Sequence, residues 1–140
     1  MKGDGLRRVE AELGLTPPGD DRGLLLALPF TPVGGDRVYW LYDDPGDVIR
    51  ATRSPLNEFY EGRSWRPTYL SVGETAMGDQ YLLDLSRTPS PVLCLSHKTH
   101  EVGDEFPDLA AFVAAWTADV AEARGRYERG RAKRWWRFWS

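Results

Sequence analysis

Three short apolar segments lie close together in the middle of the chain, and their spacing restricts the fold more than any other feature. Residues 69–72 alternate in polarity, Tyr81, Leu83 and Leu85 share one face of a second segment, and residues 92–96 form a third. Alternation with a period of two predicts β-strands. Because the intervening loops are too short for the crossover that parallel strands require, we expect two or three consecutive antiparallel strands.

Two short helices are expected before this region. Residues 7–15 carry apolar side chains at helical spacing, and Gly14 is a plausible stop. After a double proline that no helix can propagate, either Asp20 or Asp21 is expected to cap a second helix that runs through residues 24–28.

A strand and a third helix are expected next. Residues 38–42 are rich in aromatic and branched side chains, which is typical of a strand. Asp43 or Asp44 then has the chemistry of an N-cap, and Pro45 stands where proline is favoured at the first helical position. Residues 73–79, which follow the first of the central strands, predict a loop.

The last helix has the strongest periodicity in the chain. Its apolar residues fall at i, i+3, i+4, i+7 and i+11 and form one stripe: Leu109, Phe112, Val113, Trp116 and Val120. Such a stripe predicts an amphipathic helix that faces a core. A length of 140 residues fits one core. We therefore expect a single domain, with this helix facing its core.

Charge divides the chain into two parts, residues 1–123 and residues 124–140. The second part holds seven basic residues and one acidic residue, a net charge of +6. The first part holds 11 basic and 20 acidic residues, a net charge of −9. An acidic body with a basic tail suggests different partners for the two parts.

The tail also interleaves basic residues with tryptophan, and this pattern has several interpretations. Its core is Arg134, Trp135, Trp136, Arg137 and Trp139. It could be a helix extension whose aromatic residues pack on the body, or a contact for a partner. It also suits anionic lipid headgroups, where indole rings lie at the interface, as a peripheral membrane contact. Nucleic acid comes last, because the acidic body should repel a polyanion.

No residue pattern indicates catalysis. Cys94 is the single cysteine and lies in an apolar strand, so an inert thiol is expected, and no disulfide framework is possible. His97 and His100 precede acidic residues, but a loop does not bring such residues to one face. Asp79 and Asp84 are five apart, which points them to opposite faces of a strand. We expect no catalytic residue, no metal and no cofactor, and we expect a reducing cytoplasm.

Acidic loops and one tryptophan are the candidates for contact with a basic protein partner. The acidic residues form three clusters at loops: Asp43, Asp44 and Asp47; Glu74 and Asp79; and Glu101, Asp104 and Glu105. Trp65 lies between two arginines, which suits either an interface anchor or a cap on the core. Charge complementarity would speed the encounter with a basic partner.

The order of several short motifs resembles the SUKH superfamily, which includes the yeast cell-wall-synthesis regulator and many bacterial toxin-immunity proteins. The motifs are VEAELGLTP at 9–17, YWLY at 39–42, DVIRAT at 47–52, YLSVGE at 69–74 and GDQYLLDL at 78–85, followed by Pro91-Val92, His97 and the closing helix. Residues 28–35 depart from the family pattern, where an Asn-Gly pair is usual.

The resemblance implies a SUKH-like α+β single domain, with helices packed against a mostly antiparallel sheet. It implies binding rather than catalysis. It implies a bacterial immunity protein that neutralises a cognate toxin by direct binding. The acidic body suits that role, since nuclease toxins have cationic active sites. The alternative is a regulatory or scaffold module of the same fold, held at a membrane by its C-terminal tail.

Overall fold

A five-stranded antiparallel sheet organises the chain, of which the computed structural model describes residues 1–27, 39–42, 44–53, 65–75 and 77–139. The strands lie side by side in sequence order: β1 (Tyr39–Leu41), β2 (Tyr69–Thr75), β3 (Gln80–Asp84), β4 (Val92–Leu95) and β5 (Val102–Phe106). The predicted α+β class and the antiparallel connection of the central strands are confirmed. The sheet is larger than predicted.

Strand pairing accounts for two corrections. β2 runs to Thr75, although the sequence predicted a loop from Gly73, because β1 pairs with this extension and places Leu41 opposite Gly73. β5 was predicted as loop and was missed. Its sequence has few strand formers, but Val102 lies opposite Leu95 in the ladder with β4. In both cases a neighbouring strand overrides a weak local signal.

Four helices complete the described fold: α1 (Gly3–Leu13), α2 (Gly19–Ala27), α3 (Pro45–Thr52) and α4 (Leu109–Trp139). α1 begins earlier than predicted but ends as expected at Gly14, whose φ of 66° is the left-handed conformation that favours glycine. Asp20 and Asp21 lie in the first turn of α2 rather than at its cap.

Side-chain caps fix the starts of the other two helices. The N–H of Gly46 donates to Oδ1 of Asp44 at 2.7 Å, and Pro45 takes the first helical position, as predicted. The N–H of Ala111 donates to Oδ1 of Asp108 at 2.7 Å, so α4 begins after the Phe-Pro-Asp segment. Leu28 of the predicted second helix, Val38 of the predicted strand and Asp43 lie outside the described residues, as do residues 28–35, which depart from the family pattern.

The helices cover one face of the sheet. Buried residues of α1, α2, α3 and α4 form a single cluster with the strands: Leu6, Val9, Leu25, Val48, Ile49, Leu109, Phe112 and Trp116 pack with Leu70, Val72, Tyr81, Leu83 and Val92. The ring of Phe112 lies 4.7 Å from that of Tyr81 and 5.1 Å from that of Phe106, between centroids. The predicted stripe of α4 is thereby confirmed for its described members.

The opposite face of the sheet is also buried. Tyr69, Leu82, Leu93 and Leu95 form a second cluster, with Trp65 packed against it. Burial on both faces explains why β3 and β4 are nearly continuous apolar runs rather than clean alternations.

Candidate partner-binding surface

The acidic residues at the start of α3 have local structural partners. The carboxylate of Asp44 caps the helix, and that of Asp47 lies 2.6 Å from the guanidinium of Arg50, one turn further along. Negative charge at a helix N-terminus is stabilising, so both carboxylates support the helix to which they belong. Asp43, the third member of this predicted cluster, lies outside the described residues.

The turn between β2 and β3 joins the hairpin to the segment after β4. The backbone N–H of His97 donates to Oδ1 of Asp79 at 2.8 Å, and the His97 ring contacts the same oxygen through Nδ1. This backbone hydrogen bond, followed by the ring contact, lowers the pKa of Asp79. Gly78 turns the chain there with a φ of 97°. Asp79 therefore ends its loop, as the sequence analysis expected.

Glu74 lies on β2 near a buried tyrosine, one ladder step from Asp79. It is half-buried on β2, where it stands opposite Gln80. The hydroxyl of Tyr42 is buried, and burial together with the charge of Glu74 raises the pKa of that hydroxyl. Glu74 is thus part of a polar group at the sheet, while the neighbouring Asp79 is engaged by His97.

The third acidic cluster lies together at an edge of the sheet. Asp104 and Glu105 belong to β5, the outermost strand, and Glu101 immediately precedes it. All three residues are exposed. Among the predicted contact residues, these are the ones that the structure gathers on one exposed element.

An arginine that the sequence analysis did not single out ties this edge to the sheet. Arg87 donates from Nη1 and Nη2 to the two carboxylate oxygens of Asp104, at 3.1 and 2.7 Å. Its Nε donates to Oδ2 of Asp84 at 3.2 Å. The hydrogen bonds from Arg87 lower the pKa of Asp104. Asp104 is therefore neutralised locally, while Glu101 and Glu105 present their charge at the same edge.

Asp84 is a structural carboxylate. It is only 3% exposed, and its Oδ1 accepts hydrogen bonds from the N–H and hydroxyl of Ser86 at 3.0 and 2.6 Å. Burial raises its pKa, but the hydrogen bonds from Ser86 and Arg87 outweigh burial, and the net pKa is lowered. Asp84 thus accepts a backbone hydrogen bond at the end of β3. Five residues of strand rise place it about 17 Å from Asp79, too far for shared acid–base work.

The other groups with reactive chemistry have ordinary surroundings. Cys94 is half-buried and unbridged, and burial raises the pKa of its thiol to about 11, so the thiolate that acts as a nucleophile is scarce at neutral pH. His100 is exposed in a turn. Within the described ranges, no three His, Cys, Asp or Glu residues are grouped as a metal ion would require.

Trp65 packs against the second cluster. Its ring meets that of Tyr69 edge-on, with centroids 5.8 Å apart, and the residue is half-buried. This packing supports the cap-on-the-core interpretation of the two that the sequence left open. Contact with a partner through its remaining exposed part stays a prediction.

The basic tail continues α4 without a break. The helix runs to Trp139, so Arg134, Trp135, Trp136, Arg137 and Trp139 occupy its last two turns. Asp119, Glu122, Arg126 and Arg129, which lie between them and the core, are exposed. The boundary at residue 123 falls inside the helix and stays a prediction as a domain limit.

Comparisons with protein-family models, with curated proteins and with solved structures find no match to the chain. In the part of the chain that the structure describes, no helix has both the length and the apolar character needed to cross a membrane.

Proposed function

We propose that the chain is a non-catalytic binding protein that neutralises a basic protein partner through the acidic edge of its sheet. The observation that carries this proposal is the placement of Glu101, Asp104 and Glu105 on or beside one exposed edge strand. From the resemblance to the SUKH superfamily, we infer that the partner is a toxin and that the chain is a bacterial immunity protein that acts in the cytoplasm.

An acidic edge strand suits such a partner for two physical reasons. Backbone groups at a sheet edge can pair with another chain, and charged side chains on the edge restrict which chain pairs there. Carboxylates at this edge disfavour self-association and favour a segment rich in Lys or Arg. Because Arg87 already engages Asp104, Glu101 and Glu105 are the residues that we expect to set the rate of encounter.

The chemistry of the described site residues also supports binding over catalysis. Asp79 and Asp84 are both engaged in hydrogen bonds that stabilise turns, and the thiol of Cys94 is protonated at neutral pH. A substrate screen with the purified protein checks this part of the proposal. A turnover that is lost on substitution of Asp79, Asp84 or His97 contradicts it.

The direct test uses a protein encoded beside this chain. If that protein arrests growth when expressed alone, co-expression of the present chain should restore growth, and the two should purify as a stoichiometric complex. Glu101→Lys with Glu105→Lys should slow association and weaken its salt dependence. Asp4→Lys with Asp20→Lys, the same charge change on exposed positions of α1 and α2, is the matched control.

Equal association by the two double variants would remove the acidic edge from the proposal. A neighbouring protein that is harmless, or one that forms no complex with this chain, would contradict the immunity function itself.

The length of α4 favours a second candidate function. Its 31 residues extend well past Trp116, the last described residue that is buried in the core cluster. An extension of this kind suits a regulatory or scaffold module that attaches to a surface. Protection of growth without any role for the tail would favour the immunity function over this candidate.

A further inference from the structure

The helical conformation of the tail sorts its basic and aromatic residues, which are mixed in the sequence. At 100° per residue, positions 133, 134 and 137 fall within an arc of about 100° on the helix, and all three are basic. Positions 135, 136, 138 and 139 fall within an arc of about 160° that does not overlap the first, and all four are aromatic. The two classes are completely separated over the last two turns.

The preceding turns extend the basic side. Arg126 falls inside the basic arc, and Arg129 falls in the gap between the two arcs, about 40° from the basic one; both are exposed. Arg126 pairs with Glu122 at 3.0 Å, within the helix. Arg124 and Arg131 are the two exceptions, because both fall within the aromatic arc.

We propose that residues 124–139 of α4 bind in the plane of an anionic lipid surface. An interfacial helix has a basic face at the headgroups and an aromatic or apolar face at the acyl boundary, and tryptophan is enriched at that depth. The net charge of +6 in the tail supplies the attraction to anionic headgroups. This inference does not rest on the toxin-binding proposal, because the acidic edge of the sheet takes no part in it.

The separation of basic from aromatic residues favours lipid over a nucleic-acid strand as the ligand of the tail. Proteins that bind single strands combine phosphate contacts with base stacking along one groove, which needs basic and aromatic residues on the same side. Over the last two turns of this helix they fall on opposite sides. The acidic body does not prevent approach to the lipid, since residues 117–139 span about 35 Å and charge is screened over about 8 Å at physiological salt.

Cosedimentation of the full chain with vesicles tests the proposal. We expect binding to vesicles of phosphatidylcholine mixed with phosphatidylserine, little binding to phosphatidylcholine alone, and marked weakening by salt. Each basic residue near the surface changes the partition coefficient about fivefold, so Arg134→Gln with Arg137→Gln should lower it on the order of 20-fold.

A composition-matched variant isolates the role of the helical face. Lys133→Trp with Trp135→Lys keeps every residue type and the net charge, but places an aromatic residue in the basic arc and a lysine in the aromatic arc. We expect this variant to lose most of the binding. An unchanged urea midpoint for both double variants shows that the body remains folded.

Four results would overturn the proposal. These are equal binding by the exchanged variant, equal binding to vesicles without phosphatidylserine, no binding to either vesicle, and binding to single-stranded DNA without binding to vesicles. Glu101→Lys with Glu105→Lys should leave vesicle binding intact even if it abolishes toxin binding, so failure of one proposal is distinguishable from failure of the other.

Discussion

Helix α4 begins with residues that pack in the core and continues with charged residues. The residues of the two parts are placed by different physical forces. Leu109, Phe112 and Trp116 are at most 2% exposed and fill the space between the helix and the sheet. Arg126 and Arg129, a few turns later in the same helix, are exposed. The first part is specified by apolar contacts within the fold. The second part contributes little described burial, which is why we assign it to an external surface.

The largest expected effect is a difference in how substitutions in the two parts of α4 change the free energy of unfolding. Phe112→Ala should lower the free energy of unfolding by about 3–5 kcal/mol, because it removes a fully buried ring that contacts Tyr81 and Phe106. Arg129→Ala, on the charged continuation, should change it by less than about 0.5 kcal/mol. Urea denaturation of the two variants measures both values. Similar losses for the two would mean that the continuation is also part of the stabilising core.

A smaller difference in the free energy of unfolding is expected between substitutions of a buried and an exposed carboxylate. Asp84→Ala should cost about 1–3 kcal/mol, because it leaves Ser86 and the guanidinium of Arg87 without their buried acceptor. Asp47→Ala removes an exposed partner of Arg50 and should cost at most about 1 kcal/mol. Thermal or urea unfolding compares them. Equal costs would contradict the structural role assigned to Asp84.

Acid should weaken the fold through the carboxylates with lowered pKa. Asp84 and Asp79 have pKa values below those of ordinary aspartates, so the unfolded chain binds more protons than the folded chain in acid. Their stabilisation is complete above the unfolded pKa of about 4 and is lost as the pH falls through their folded pKa values. The urea concentration at the unfolding midpoint should therefore decrease as the pH is lowered through this range. The fall should be shallower in Asp84→Asn, and an unaltered slope in that variant would contradict the assignment.

Asp21 acts in the opposite direction. Burial raises its pKa, against the hydrogen bond that it shares with Ser90, so its contribution to stability decreases as the pH rises through this range. The contribution of Asp21 therefore opposes that of the carboxylates with lowered pKa, which are Asp79, Asp84 and the exposed Asp104.

Much of the fold could be predicted from the periodicity of the apolar residues and from the helix-capping residues. The stripe of α4 and the cap at Asp44 needed only local rules, since helical spacing and an acidic residue before a proline have direct structural meaning. β5 could not be found in this way, because Gly103, Asp104 and Glu105 disfavour a strand and only the ladder with β4 forms it.

The candidate site could be predicted from the sequence less completely than the fold. Acidic residues could be identified as three clusters, but their spacing does not show that Asp104 meets Arg87, 17 positions away. That contact depends on β3, β4 and β5 lying side by side. An aspartate at a strand end with Ser and Arg two and three positions later was the available signal for a turn network. It became informative only with the register of the sheet.

The smallest expected effect concerns removal of the tail. Deletion of residues 124–140 should leave the body folded and change the free energy of unfolding by no more than about 0.5 kcal/mol, because the described core contacts of α4 end at Trp116. The deletion removes a net charge of +6 together with Tyr127, Trp135, Trp136, Phe138 and Trp139. Thermal unfolding of the full and shortened chains, each measured without vesicles, makes the comparison.

Fluorescence quenching provides the control for that deletion. If the tail lies free of the body, its tryptophans should be accessible to a soluble quencher in the full chain and protected only when anionic vesicles are added. If it packs on the body, they should be protected and blue-shifted without vesicles, and the shortened chain should melt at a lower temperature. The second pattern would show that the two parts of α4 both serve the core, and it would leave the aromatic residues of the tail unavailable for lipid. We expect the first pattern, because Arg126 and Arg129, which flank the basic arc, are exposed to solvent in the described part of the helix.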